Sequence, residues 1–84
     1  YKILNELYKN DKVEILRANS LKLKKSVILK ILKEEYPNPK DIAALKHEYN
    51  LLKELRINGV IEAYSLEKYG HRFFLVLEDV AEAI

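Results

Sequence analysis

The chain has 84 residues, of which 49% are hydrophobic and 33% charged, a composition that predicts one small globular domain rather than a disordered or fibrous segment. Its 15 basic and 13 acidic side chains leave a formal net charge of +2, too small to attract nucleic acid or an anionic membrane surface. Cysteine is absent, which excludes a disulfide scaffold and a thiolate metal site, and the reducing cytoplasm is the expected compartment.

Neither a membrane span nor a signal peptide is expected within these 84 residues. No apolar run approaches the roughly 20 residues of a membrane span, and no basic start leads into an apolar stretch like that of a signal peptide. The sequence starts at Tyr1 rather than at a methionine and reaches Ile84 without a closing element, so we expect it to be a piece of a longer polypeptide. A domain this short buries only about 60% of its unfolded surface, so we expect it to depend on a larger neighbour.

Three short strands are predicted in the first third of the chain. The segments "YKILNELY", "KVEILRA" and "SVILKIL" show the spacing of strands, and the third is apolar on both faces apart from one lysine. The first segment would place Ile3, Leu4 and Leu7 on apolar faces. Turns are expected near "KND" and near "LKK", so the three strands would pair in an antiparallel manner.

One helix is predicted in the middle of the chain. Asn38 is a good N-cap, Pro39 suits the first helical position, and Asp41 falls in the first turn, where its charge favours the helix dipole. Asn58-Gly59 supplies the predicted stop. Apolar side chains recur at helical spacing between these signals and are expected to face a sheet: Ile42, Leu45, Tyr49, Leu52 and Leu55.

Two further strands follow the helix. The segments "VIEAYSLEKYG" and "HRFFLVLEDV" are joined by a predicted turn at Tyr69-Gly70, and Leu75, Val76 and Leu77 are expected in the core. The sequence therefore predicts an α+β fold, a five-stranded antiparallel sheet with one main helix in the order βββαββ, forming a single domain over residues 1–84. No internal repeat or Pro/Gly-rich linker divides the chain.

Lys30 interrupts the most apolar of the early strands. With a period of two it shares a face with Ile28 and Leu32, so its ammonium would lie between two aliphatic side chains. A buried ammonium without a partner costs several kcal/mol, and we therefore expect an ion pair. The alternative is a lysine at the edge of the sheet with its charged end in water.

Glu48 interrupts the apolar stripe of the helix in the same way. It lies three residues after Leu45 and four before Leu52, and no basic residue stands three or four positions away within the helix. Two misplaced charges of opposite sign predict one ion pair between Lys30 and Glu48, which would leave the ammonium able to reach a phosphate oxygen. A partly exposed helical carboxylate without a special role is the alternative.

These segments resemble those of a known family. "VILK", residues 27 to 30, resembles the valine-alanine-isoleucine-lysine motif on the third strand of the protein kinase small lobe, and "HEYNLLKEL" is similar to the helix that supplies its glutamate partner. "FFLVLEDV" resembles the fifth strand running into the kinase hinge. The resemblance spans nearly the whole chain and is closest to the Ser/Thr-kinase-like domains at the front of large bacterial, especially cyanobacterial, hybrid sensor proteins.

The resemblance implies ATP as the cofactor and assigns roles to particular residues. Lys30 would contact the α- and β-phosphates, Glu48 would orient it as the second catalytic residue, and Leu77 would occupy the gatekeeper position. The backbone of Glu78, Asp79 and Val80 would form the hinge that binds adenine. The implied nucleotide-binding residues are Leu7, Ile15, Ile28, Lys30, Leu77, Glu78, Asp79 and Val80.

The implied reaction is transfer of the ATP γ-phosphoryl group to a hydroxyl of a protein substrate. The catalytic loop and the residues that hold Mg would belong to a kinase C-lobe beyond Ile84, so the expected partners are that lobe, further domains of the parent chain and the substrate. No residue of this chain is expected to bind a metal, and His47 and His71 are expected at the surface. "KLKK" is expected to be a solvated hairpin tip rather than a nucleic-acid-binding stripe.

Two departures from the kinase pattern keep a second reading open. Alignment on "ILRA" places Ile15 at the valine that follows the glycine-rich loop, so the three glycine positions fall on Tyr8, Asn10 and Val13, and none is glycine. Ile28 stands where an alanine is usual. The alternative to an active kinase is therefore a pseudokinase or protein-interaction module that keeps the kinase fold without catalysis.

Overall fold

The computed structural model describes residues 1–55 and 61–80, and it confirms the predicted α+β fold with the order βββαββ. The elements are β1 (Lys2–Lys9), β2 (Val13–Ser20), β3 (Lys25–Leu32), α1 (Pro39–Glu54), β4 (Ala63–Tyr69) and β5 (Arg72–Glu78). The strands lie in the order β1-β2-β3-β5-β4, and each neighbouring pair is antiparallel. β3 and β5 therefore occupy inner positions in the sheet.

Short turns join β1 to β2, β2 to β3 and β4 to β5, as the sequence predicts. Lys24 closes the β2–β3 turn at a φ of 56°, and its N–H donates to the Ser20 carbonyl over 2.8 Å. Gly70 lies between β4 and β5 at a φ of 62°, in the left-handed region that glycine enters without a steric penalty.

The helix begins where the sequence predicts. The Asn38 side chain accepts a hydrogen bond from the Lys40 N–H over 2.8 Å, Pro39 takes the first helical position, and Asp41 lies in the first turn. The last helical residue is Glu54, followed by Leu55 as the C-cap. The predicted stop at Asn58-Gly59 lies outside the described residues.

The sheet has a buried apolar cluster on each face. One face holds Leu16, Ala18, Val27, Leu29 and Val76. The other, called the helix face below, holds Leu32, Ala63 and Leu75, which pack with Leu45 of α1. Half-buried Ile42, Tyr49 and Leu52 of the helix join this second cluster, as their spacing predicts. β3 is thus apolar toward both faces, because its alternate residues enter different clusters.

The predicted burial is wrong for two groups of apolar residues. Leu55 is 40% exposed rather than packed on the sheet, because it follows the last helical residue. Ile3, Leu4 and Leu7 of β1 are also exposed. β1 is an edge strand whose register with β2 shifts twice, whereas the helix packs against β4 and β5 toward the other edge of the sheet.

Within residues 1–55 and 61–80, no helix is long and apolar enough to cross a membrane.

Candidate functional site

β3 places Lys30 on the helix face of the sheet. Lys30 lies opposite Ile15 of β2 and opposite Leu75 of β5, and Leu75 is fully buried beneath the helix. Directly opposed residues in antiparallel strands project to the same side of the sheet, so the lysine side chain leaves the strand toward α1. The alternative of a lysine on an edge strand does not apply, because β3 has a neighbour on each side.

The lysine meets the glutamate that the sequence singles out. Lys30 Nζ donates a hydrogen bond to Glu48 Oε2 over 2.8 Å, which confirms the predicted ion pair between strand and helix. The two side chains are 28% and 36% exposed, so neither charge is removed from water. The pair borders a cleft of about 130 Å³ between the tip of β2, strand β3 and the first half of α1.

Apolar side chains continue the helix face beside this ion pair. Ile15 lies opposite Lys30, Ile28 lies two residues before it on β3, and Leu77 lies opposite Ile28. All three side chains are only half-buried. The structure thus brings four of the predicted nucleotide-binding residues onto one surface, on which a cation stands beside apolar side chains that are still accessible.

Leu7, another predicted contact, lies farther out on this sheet. It belongs to β1, is 44% exposed, and falls between Glu6 and Tyr8, where the pairing with β2 shifts its register. Leu7 is part of neither buried cluster. Tyr8 is the β1 residue that lies opposite Ile15, and it therefore shares the helix face.

The turn between β1 and β2 uses its own backbone donors. The Asn10 side-chain oxygen accepts hydrogen bonds from the N–H groups of Lys12 and Val13 over 2.9 and 2.8 Å, and the Asn10 N–H donates to the Val13 carbonyl over 3.0 Å. Lys33 Nζ donates to the Asn10 carbonyl over 3.0 Å. Asparagine commonly closes turns in this way. These three N–H groups are therefore engaged within the turn rather than pointing together at an anion.

The chain leaving β5 is attached to the sheet through Asp79. One of its carboxylate oxygens, Oδ2, accepts from Arg17 Nε over 2.8 Å and from Ser26 Oγ over 2.6 Å. The Asp79 side chain is only 2% exposed, and Ser26 is also buried. Sequence reasoning missed this cluster, although Arg17 interrupts an apolar stretch of β2 much as Lys30 interrupts β3.

Glu78 and Val80, on either side of Asp79, are the other two residues of the predicted hinge. Glu78 ends β5, and its N–H donates to the Glu62 carbonyl over 2.9 Å. The Glu62 N–H in turn approaches the Glu78 side-chain oxygen Oε1 at 3.3 Å. Val80 follows as an exposed residue, and it is the last residue of the chain that the structure describes.

The groups with shifted pKa values lie away from this site, toward the opposite face of the sheet. Burial, and then the hydrogen bond to Glu67, raise the pKa of the Tyr1 hydroxyl to about 12. The Tyr1 ring packs edge-on against Phe74, which contacts the cluster opposite the helix. Contact with Tyr64 raises the pKa of Lys25 above its usual value. His47 and His71 are exposed, and no metal-binding cluster of His, Cys, Asp and Glu occurs among the described residues.

Comparison of the chain with protein-family models gives no match. Comparison with curated proteins also gives no significant match.

Proposed function

We propose that this chain is the ATP-binding small lobe of a Ser/Thr-type protein kinase domain in a multidomain bacterial signalling protein. The observation that supports the proposal is the 2.8 Å ion pair between Lys30 of β3 and Glu48 of α1. On the same face of the sheet the pair has half-buried apolar neighbours, Ile15 on β2 and Ile28 on β3.

In this role some of the described residues bind the phosphates of ATP and others bind its adenine base. Lys30 contacts the α- and β-phosphates, and Glu48 holds the lysine in its extended position. Ile15 and Ile28 would cover the adenine ring, and Leu77 would occupy the gatekeeper position. The residues fit ATP in chemical character, since a partly exposed ammonium suits phosphate and the adjoining half-buried aliphatic surface suits a base.

The phosphoryl transfer itself requires residues outside this chain. This lobe would bind ATP and orient its γ-phosphoryl group for transfer to a protein hydroxyl, and a C-lobe with its catalytic loop would hold Mg. Bound ATP supplies the transferable group, whereas this lobe binds and orients it.

The pair can be tested by measuring phosphate incorporation from ATP and Mg by the full-length protein. We expect Lys30→Met and Glu48→Gln each to reduce the rate on the order of 100-fold, because a misplaced phosphate reacts slowly. Lys25→Met is the matched control for the strand, since Lys25 lies on β3 with its ammonium 4.4 Å from the centre of the Tyr64 ring, on the other face. Glu54→Gln is the control for the helix, where Glu54 is exposed.

The controls should keep the activity of the unchanged protein. Full activity in both Lys30→Met and Glu48→Gln would refute the roles assigned to the two residues. Equal losses in all four variants would assign the effect to general damage rather than to the site.

A second candidate function is favoured by the β1–β2 turn. Because three of its N–H groups are used within the turn, the backbone does not offer the phosphate cradle that a glycine-rich loop provides. We therefore keep a pseudokinase or protein-interaction module as the alternative. An unchanged full-length protein that binds ATP but incorporates no phosphate, or that does neither, would favour this alternative.

A further inference from the structure

The first residues after β5 are held to the sheet from both sides. On one side the Glu78 N–H donates to the Glu62 carbonyl, next to β4. On the other side the Asp79 carboxylate accepts from Arg17 of β2 and from Ser26 of β3. Two successive residues are thus tied to three different segments, so the direction in which the chain leaves the sheet is fixed.

The buried carboxylate calls for a reason beyond folding. A carboxylate with a 2% exposed side chain is costly unless it is paired and hydrogen-bonded, and an apolar side chain would fill the same space without that cost. Here Asp79 Oδ2 accepts hydrogen bonds from both the guanidinium of Arg17 and the hydroxyl of Ser26. Such directional contacts fix the orientation of a segment in a way that apolar packing does not.

The cluster lies at the base end of the proposed nucleotide site. Ser26 precedes Lys30 by four residues on β3, which separates the two positions by roughly 13 Å along an extended strand. Between them lies Ile28, which covers adenine in the proposed function. A change at the cluster should therefore affect recognition of the base and leave the phosphate end of the site intact.

We infer that Asp79, held by Arg17 and Ser26, is a positioning residue for adenine binding. Its carboxylate holds the backbone of Glu78 to Val80 in the conformation that meets the base, so that ATP binding does not have to order this segment. The inference rests on the proposed function and deepens it, because it names residues that determine affinity for the base as distinct from the phosphates.

The test compares two ligands that share phosphates but not the base. The affinities of the full-length protein for ATP and for inorganic tripolyphosphate are measured in Asp79→Asn and Ser26→Ala. We expect Asp79→Asn to weaken ATP binding on the order of tenfold and to leave tripolyphosphate binding within about twofold. Ser26→Ala removes one hydrogen bond to Asp79 but keeps the ion pair between Asp79 and Arg17. This variant should therefore weaken ATP binding by a smaller factor.

Glu67→Gln is a closely matched control variant. Glu67 Oε2 also accepts two hydroxyl donors, from Tyr1 over 2.6 Å and from Ser65 over 2.7 Å, but it belongs to β4 and lies away from the site. Its amide variant should bind both ligands as the unchanged protein does. The melting temperature of each variant, measured without ligand, shows whether it is folded.

The outcomes separate this inference from the proposed function. If the unchanged protein binds ATP while folded Asp79→Asn and Ser26→Ala bind ATP equally well, or lose both ligands to the same degree, the positioning role is wrong and the proposed function stands. If the unchanged protein binds neither ligand, both fail. Loss of ATP affinity alone, in the expected order of the two variants, supports the inference.

Discussion

Lys30 and Glu48 form an ion pair whose value for folding is small. Because both side chains remain about a third exposed, solvent screens their attraction, and pairs of this kind typically contribute about 0–1 kcal/mol to stability. Stability alone therefore gives little reason for an ammonium on an inner strand. An ammonium that must meet a ligand, and so remain partly accessible, accounts for the arrangement better.

The Tyr1 hydroxyl should make stability depend on pH at the alkaline end. Its pKa is about 12 in the folded protein, raised from 10.0 by burial and then by Glu67. The folded state holds this proton more tightly than the unfolded chain does. The hydroxyl's contribution to the free energy of unfolding is therefore complete below about pH 10 and disappears as the pH rises toward 12. We expect the unchanged protein to lose more stability than Tyr1→Phe between about pH 9 and pH 11 in urea denaturation.

An equal loss of stability in the unchanged protein and in Tyr1→Phe over this pH range would contradict the role assigned to Tyr1. The comparison cancels groups common to both, including Lys25, whose raised pKa also favours the charged form in the folded state.

At the scale of single residues, sequence reasoning found the charges that break a simple pattern. Lys30 and Glu48 could be paired because each interrupts an apolar series of known period. Arg17 and Asp79 could not, since their meeting depends on how β2, β3 and β5 are registered. Asp79 follows the last strand, and no periodicity indicates which way such a residue will turn.

Helix α1 packs on the sheet through Leu45, which is fully buried, and through half-buried Ile42, Tyr49 and Leu52, and its first turn adds an N-cap. Asn38 supplies the cap by accepting the Lys40 N–H. We expect Asn38→Ala to lower the free energy of unfolding by about 1 kcal/mol in urea denaturation.

Asn50→Ala is the control for the cap, because the same substitution in the middle of the helix should not lower the free energy of unfolding. Asn50 is exposed within the helix, where alanine has the higher helix propensity, so this variant should be as stable as the unchanged protein or slightly more stable. Equal destabilisation by both substitutions would show that Asn38 does not act as a cap.

Element boundaries were predictable where local chemistry decides them. Asn38, Pro39 and Asp41 fix the start of α1 through contacts within one turn. The exposure of β1 was not predictable, because it depends on the strand lying at the sheet edge, away from the helix. Alternating residues indicate a strand but do not tell which face, if either, another layer will cover.

At the scale of the whole molecule, the candidate site is built on the least exposed part of the sheet. Val27, Leu29 and Val76 fill one face of β3 and β5, and Leu32 and Leu75 fill the other. This double packing gives Lys30 a rigid base, which a binding constellation requires. The sequence predicted the element order, but the placement of β5 between β3 and β4 arises from long-range pairing.

ATP-dependent thermal stabilisation of the full-length protein tests the central claim most directly. ATP at about 100 times its dissociation constant should add about 2.7 kcal/mol to the free energy of unfolding. For a domain of roughly 150–250 residues, this gain raises the melting temperature by roughly 5–10 °C. We predict this rise for the unchanged protein and for Lys25→Met, and its loss in Lys30→Met. A protein that ATP does not stabilise, or one in which both lysine variants respond alike, would contradict the claim.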